Sequence, residues 1–153
     1  MAANSTGLIF EREILTGARK MGVHIRKLPV SQFENANGKR IMVESAYDFF
    51  AVYDGIPVAI ECKASRVRGS FPLGRVPPHQ RKALLEVRDA GGLSYVLLCQ
   101  GTRTKKVAYV ISIENLIEYD LKGKSIPVSE LDKLPRLQRI TGGWDIRTLF
   151  RRM

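Results

Sequence analysis

Residues 45–63, SAYDFFAVYDGIPVAIECK, limit what this chain can fold into more than any other stretch. Asp54-Gly55 favours the two-residue turns that join antiparallel strands, because both residue types tolerate the left-handed backbone such turns need. The run before it, residues 48–53, is aromatic and β-branched. The run after it, residues 56–63, is apolar until Glu61. Pro57 lacks an N–H and is tolerated at a strand start. Side chains two apart share one face of a strand, so Glu61 and Lys63 point one way and Cys62 the other. A hairpin closed at Asp54-Gly55 brings Asp48 near Glu61. Two carboxylates and an ammonium then meet at a strand end. Such oxygen ligands suit a hard cation, and Mg²⁺ typically takes one or two carboxylates and keeps several waters. The backbone carbonyl of Cys62 is a candidate further oxygen. The alternative is a surface salt-bridge cluster on an edge strand.

The chain has 153 residues, room for one domain spanning 1–153 with a single core. Hydrophobic residues make up 44% and charged ones 26%, which excludes a largely disordered chain. Lys and Arg total 25 against 15 Asp and Glu, a net charge of +10. A polyanionic partner follows, and nucleic acid is favoured over a membrane because no stretch has the strong apolar face of an interfacial anchor. Cys62 and Cys99 lie in apolar strand-like runs and are expected as buried free thiols in a reducing compartment. No Cys/His spacing builds a zinc site. The chain carries no apolar run of transmembrane length, and MAANSTGLIFERE lacks a signal pattern, so a cytoplasmic protein is expected.

In chain order, residues 5–21 read as a helix capped by Ser5 or Thr6, with Leu8, Ile9, Ile14, Leu15 and Ala18 as its apolar stripe. Glu11 and Glu13 on it are candidates to face the hairpin site, against a surface role complementing the helix dipole. Residues 23–30 read as a short strand with His24, Arg26 and Lys27 outward. Residues 31–40, with Asn35-Ala36-Asn37-Gly38, read as a loop offering Lys39 and Arg40 to phosphates. Residues 41–43 resume an extended run. Residues 64–78 hold three prolines, two glycines and three arginines, so a helix there is excluded and the stretch reads as a loop leaving the strand end that carries Glu61. Arg66, Arg68 and Arg75 beside an acidic pocket suit phosphate oxygens. Pro77 or Pro78 opens a helix over 79–90 whose first turn carries Gln80, Arg81 and Lys82, a basic set opposing the helix dipole. Residues 93–99 form the best central buried strand. A basic turn with Arg103, Lys105 and Lys106 leads to a strand over 107–111. Ser112 caps the next helix, which ends near Gly123. Residues 125–134 read as an extended piece and a short helix capped by Ser129, followed by a basic, aromatic tail. A helix between two apolar strands implies a crossover and a mixed sheet, hence an α/β sandwich.

Asp48, a hairpin's separation, then Glu61-x-Lys63 resembles the PD-(D/E)xK nuclease motif, with Tyr47 where that motif has proline. Ser70-Phe71-Pro72-Leu73, His79-Gln80 and Gly91-Gly92 before an apolar strand resemble, in that order, the RecU-type Holliday junction resolvases over about residues 45–99. The resemblance implies a restriction-endonuclease-like αβββαβ core, a central mixed sheet flanked by helices. It implies an Mg²⁺- or Mn²⁺-dependent endonuclease, bacterial or phage-encoded, that cuts four-way DNA junctions as a homodimer; the rival readings are another PD-(D/E)xK endonuclease acting on linear duplex, a catalytically silent DNA-binding module and, last, a basic RNA-associated protein. Asp48 and Glu61 would hold the metal, Gln80 would join its shell, Lys63 would act on the attacking water or the developing charge, and Glu11 would be the acidic residue of the first helix. The family carries a hydroxyl residue two positions before the aspartate, where this chain has Ala46. Phosphate contacts would come from Arg66, Arg68, Arg75, Arg81, Lys82, Arg103, Lys105 and Lys106. Phe71, Pro72 and Leu73 would serve either the dimer interface or their own core.

Overall fold

A computed structural model describes residues 2–29, 31–43 and 45–152. Its central element is β5 of a five-stranded sheet. The chain runs α1 (Ala2–Lys20), β1 (His24–Lys27), β2 (Ser31–Glu34), β3 (Arg40–Val43), β4 (Phe49–Tyr53), β5 (Ile56–Ser65), β6 (Phe71–Pro72), α2 (Pro78–Asp89), β7 (Leu93–Gly101), β8 (Lys106–Ser112), α3 (Ile113–Lys122), β9 (Ser125–Ile126), α4 (Val128–Leu131), β10 (Gln138–Ile140) and β11 (Gly143–Asp145). The sheet order is β1-β4-β5-β7-β8. Strand β5 pairs antiparallel with β4 and parallel with β7, with α2 making the crossover between them. The expected αβββαβ core and mixed sheet are therefore present, with α1, β1, β4, β5, α2 and β7 in that order.

The hairpin closes where its residues dictate. Asp54 and Gly55 both have positive φ, +52° and +75°, the backbone of a primed two-residue turn, and Tyr53 pairs with Ile56. The strands have two buried faces because their apolar residues are continuous. Along β7, Leu97 and Cys99 face α1 in a core with Phe10, Ile14, Phe49 and Ile60, while Val96 and Leu98 face a second core with Leu84, Leu116 and Tyr109. Pro78 is the first residue of α2, and the Ser112 hydroxyl accepts the Asn115 N–H at the start of α3. Both helix starts fall where the residue types place them.

Four expectations are corrected. Residues 31–40 are not simply a loop: β2 and β3 pair into a separate hairpin, so 41–43 belong to that ribbon and not to the main sheet. Its turn holds through the Asn35 side chain, which accepts from the Asn37 and Lys39 N–H groups. Val30, at the end of the expected first strand, lies outside the described residues. Residues 64–78 contain a short strand pairing Phe71 with Ile126, then one 3₁₀ turn. Phe71 and Leu73 are buried in the second core, which settles their role in favour of internal packing. Ser129 lies inside α4, which follows Pro127 with no side-chain cap. The tail forms the β10–β11 hairpin against α1.

That hairpin sits close enough to α1 to explain Glu13. Trp144 donates its indole N–H to Glu13 Oε1 at 3.1 Å, while Lys106 and Arg139 bond Oε2 at 2.7 and 2.8 Å. Burial pushes the Glu13 carboxyl up, but these donors outweigh it and hold it below the usual carboxylate range. Glu13 is thus a partly buried anchor, not a solvated surface charge. Glycine makes the close approach possible: a Cβ on Gly17 would stand 1.8 Å from the Trp144 carbonyl oxygen. Gly17→Ala is expected to lower stability by about 2 kcal/mol or more, since backbone must move to admit the methyl group. Urea unfolding of the two proteins checks this, and equal midpoints would show that α1 and the tail are not so closely joined.

Candidate active site

The β4–β5 register carries Phe49 opposite Ile60, and the same ladder continues one residue further, where the Asp48 N–H bonds the Ile60 carbonyl at 3.0 Å. This sets Asp48 beside Glu61, directly before the point where β4 begins. The Asp48 Oδ2 accepts the Cys62 N–H at 2.8 Å, which fixes the carboxylate against β5. It is therefore the amide of Cys62 that the structure sets on Asp48.

Glu61 is 3% exposed, and its Oε1 is buried with no hydrogen-bond partner among the described residues. The other oxygen, Oε2, lies 3.0 Å from Lys63 Nζ. The Lys63 ammonium also donates to Gln80 Oε1 at 3.2 Å, so the first turn of α2 comes to the site. Strand period aligns Glu61 with Lys63, and the crossover brings Gln80. Four of the five predicted catalytic residues, Asp48, Glu61, Lys63 and Gln80, thus form one cluster.

The fifth, Glu11, arrives indirectly. The Lys27 ammonium contacts Glu11 Oε1 and stands 3.6 Å from Asp48 Oδ1. Burial lowers the Lys27 pKa, but Glu11 and Asp48 outweigh it and raise it. Lys27 was read from sequence as one of several outward charges. A signal was present: Ile25 and Lys27 share one face of β1, and Ile25 is buried. Ala46, at the position of the family's hydroxyl residue, brings no oxygen donor from its side chain.

The basic residues divide. Arg81 donates to the Val76 and Leu73 carbonyls at 2.7 and 2.6 Å and pairs with Asp120 at 3.1 Å, tying the loop before α2 to α3. This also supplies an acidic partner for a basic first helical turn. Lys106, its side chain 10% exposed, is held by Glu13. Arg68 bonds Tyr109 and Asp132, Arg75 bonds the Ala64 carbonyl, and Arg66 bonds Thr6 on α1. Lys82, Arg103 and Lys105 are exposed. The charges of Arg81 and Lys106 serve the fold, a use that sequence reading placed on phosphates.

A buried carboxylate with one oxygen unpartnered among the described residues, beside a second carboxylate, is costly unless further positive charge joins it. Among the described residues no group of three or more His, Cys, Asp or Glu side chains could hold a metal ion. Two carboxylates, an amide oxygen and waters nevertheless fit a small hard cation, which rarely takes an all-protein cage. Without one, burial first and Asp48 second push the Glu61 carboxyl up to about 7, with Lys63 opposing. A folded-state pKa raised above the unfolded value means the folded protein binds the extra proton. This contribution to stability is present below about pH 4.5 and fades as pH rises through about 7. In metal-free buffer, Glu61→Gln is expected to flatten the fall in stability across that window. Denaturant melts at several pH values test it, and parallel pH profiles for both proteins would count against a buried, proton-holding Glu61.

Comparison with known proteins adds the lineage. The family model "Recombination protein U" (RecU) matches residues 4–143. The protein called Holliday junction resolvase RecU from Shouchella clausii is 32% identical over 94 residues, covering 59% of this chain and 44% of that protein. Its namesake from Streptococcus mutans is 32% identical over 92 residues, covering 58% and 46%. The chain thus spans about half the length of these curated relatives. The solved structure of Hjc, a Holliday junction resolvase of Archaeoglobus fulgidus, superposes with a TM-score of 0.44 at 17% identity, covering 94% of this chain and 91% of that one. With a family match running through nearly the whole sheet and its helices, this chain belongs to the RecU family.

Proposed function

We propose that the chain is a metal-dependent endonuclease that resolves four-way DNA junctions by phosphodiester hydrolysis. The observation that carries this reading is the buried Glu61 carboxylate, one oxygen without a donor among the described residues, set beside Asp48 with the Lys63 ammonium 3.0 Å from the other oxygen. The names of the RecU relatives, which call them Holliday junction resolvases, support the substrate class.

Asp48 and Glu61 would hold Mg²⁺, or Mn²⁺, with Gln80 and the Cys62 carbonyl as further oxygens. When bound, such an ion polarises the scissile phosphate and acidifies a coordinated water. Lys63 sets a positive charge where negative charge develops on the phosphate, an effect that is largest in a site shielded from water. Gln80 steadies that ammonium from α2, and the Cys62 N–H keeps Asp48 turned toward β5.

Recognition of a four-way junction rests on its shape, read through phosphates on several arms. Arg66, Arg68, Arg75, Lys82, Arg103 and Lys105 are the residues proposed to make those contacts, and affinity would fall steeply with salt. Paired cuts in opposing strands call for two sites related by a two-fold axis, so the working form is a homodimer. Its place of action is the cytoplasm of a bacterium or of a phage-infected cell. No helix among the described residues is long and apolar enough to cross a membrane.

The test compares a labelled four-way junction with matched linear duplex, in Mg²⁺ and in EDTA. Cleavage of the junction alone, dependent on Mg²⁺, is expected. Glu61→Gln and Asp48→Asn are each expected to lose at least about 100-fold in rate while still shifting the junction in a gel. Equal cutting of duplex would redirect the substrate assignment, and undiminished cutting by both variants would remove the site assignment.

A further inference from the structure

The two oxygens of Asp48 face different groups. Oδ2 lies on the β5 side, taking the Cys62 N–H at 2.8 Å. Oδ1 lies 3.6 Å from Lys27 Nζ, and that same ammonium contacts Glu11 Oε1. Lys27 is placed there by the fold. It pairs with Phe49 across β1 and β4, and its ammonium stands 5.3 Å from the centroid of the Phe49 ring. Its side chain is 45% exposed, so it is a half-open group held by two carboxylates and an aromatic face.

We propose that Lys27 is a tethered cation that restricts this active site to a single divalent ion, on the Glu61 side of Asp48. The inference rests on the metal-dependent reading above. In a two-metal phosphodiesterase site the ions sit about 3.5–4 Å apart. A carboxylate between them offers one oxygen to each. Here the second ion would need Asp48 Oδ1 and Glu11, and Lys27 already joins those two groups. An ammonium repels a dication so close, and the carboxylates it neutralises attract one less. The Glu61 side is different. Oε1 there has no partner among the described residues. The site is therefore asymmetric: Lys27 joins both Glu11 and Asp48 Oδ1, whereas Lys63 reaches only Glu61 Oε2 and leaves Oε1 for a cation from solution. Lys27 is a positioning residue in this scheme. Glu11 is the partner that holds it and not a ligand of the ion.

Counting Mn²⁺ on the whole chain separates the outcomes. Mn²⁺ is titrated into protein without DNA, and free ion is followed by its EPR signal. The wild type is expected to bind about one ion per chain, as is Lys27→Arg, which keeps the charge. Lys27→Met and Lys27→Gln, which remove it, are expected to bind about two, and adding Glu11→Gln to Lys27→Met is expected to restore about one. A purely structural role for Lys27 would not raise the count. Two ions in the wild type, or an unchanged count in both uncharged variants, would overturn the proposal while leaving the metal site itself intact. No retained Mn²⁺ in any protein, Glu61→Gln included, would instead overturn the metal reading and this proposal with it.

Discussion

The site depends on one alignment, that of Asp48 with Glu61 across the β4–β5 ladder. A slip of one residue would turn Glu61 to the opposite face and leave Asp48 without its Cys62 amide. Register is held at both ends. At the turn, Asp54 and Gly55 adopt left-handed backbone that lengthens or shortens poorly. Along the strands, Phe49 and Ile60 are fully buried, and a slipped pairing would expose them. The buried apolar pairs of the ladder thus set the distance between two acids that lie one position beyond them.

Burial then sets Glu61 apart from the other acids of the site. Strand β5 lies third in the five-stranded order; its charged end pairs with β7 on one side and meets Asp48, just before β4, on the other, and Glu61 is 3% exposed. A carboxylate in that position is destabilised as an anion unless positive charge is supplied. Lys63 supplies part of it on one oxygen. The other oxygen is buried without a partner among the described residues, whereas a surface salt bridge would have both oxygens in water. The surface-cluster alternative fails on this point.

The opposite face shows the same elements used for stability alone. Glu13 is a partly buried carboxylate on α1, only two residues from Glu11. It meets Lys106, Arg139 and the Trp144 indole and is fully satisfied. The contrast between a saturated Glu13 and an unsaturated Glu61 distinguishes an anchor from a site. Neither could be told from its residue type. Both sit in mixed apolar and charged runs, and what separates them is the number of donors that the fold brings near.

Much of this was legible in the chain because it is local. The Asp54-Gly55 turn, the period of two that aligns Glu61 with Lys63, the proline opening α2 and the serine capping α3 each act over a few residues. Steric and hydrogen-bonding rules decide them before any distant segment arrives. The β2–β3 ribbon was missed because the flank before Asn35 is too polar to read as a strand, so residues 41–43, read as extended, had no evident partner. The uses of Glu11, Lys27, Arg81 and Lys106 were decided only in three dimensions. Lys106 lies 93 residues from Glu13 and Trp144 lies 131 away. A charge on a surface and a charge against a buried acid look alike in one dimension. Which of them finds an opposite partner depends on packing that brings remote segments within hydrogen-bond reach.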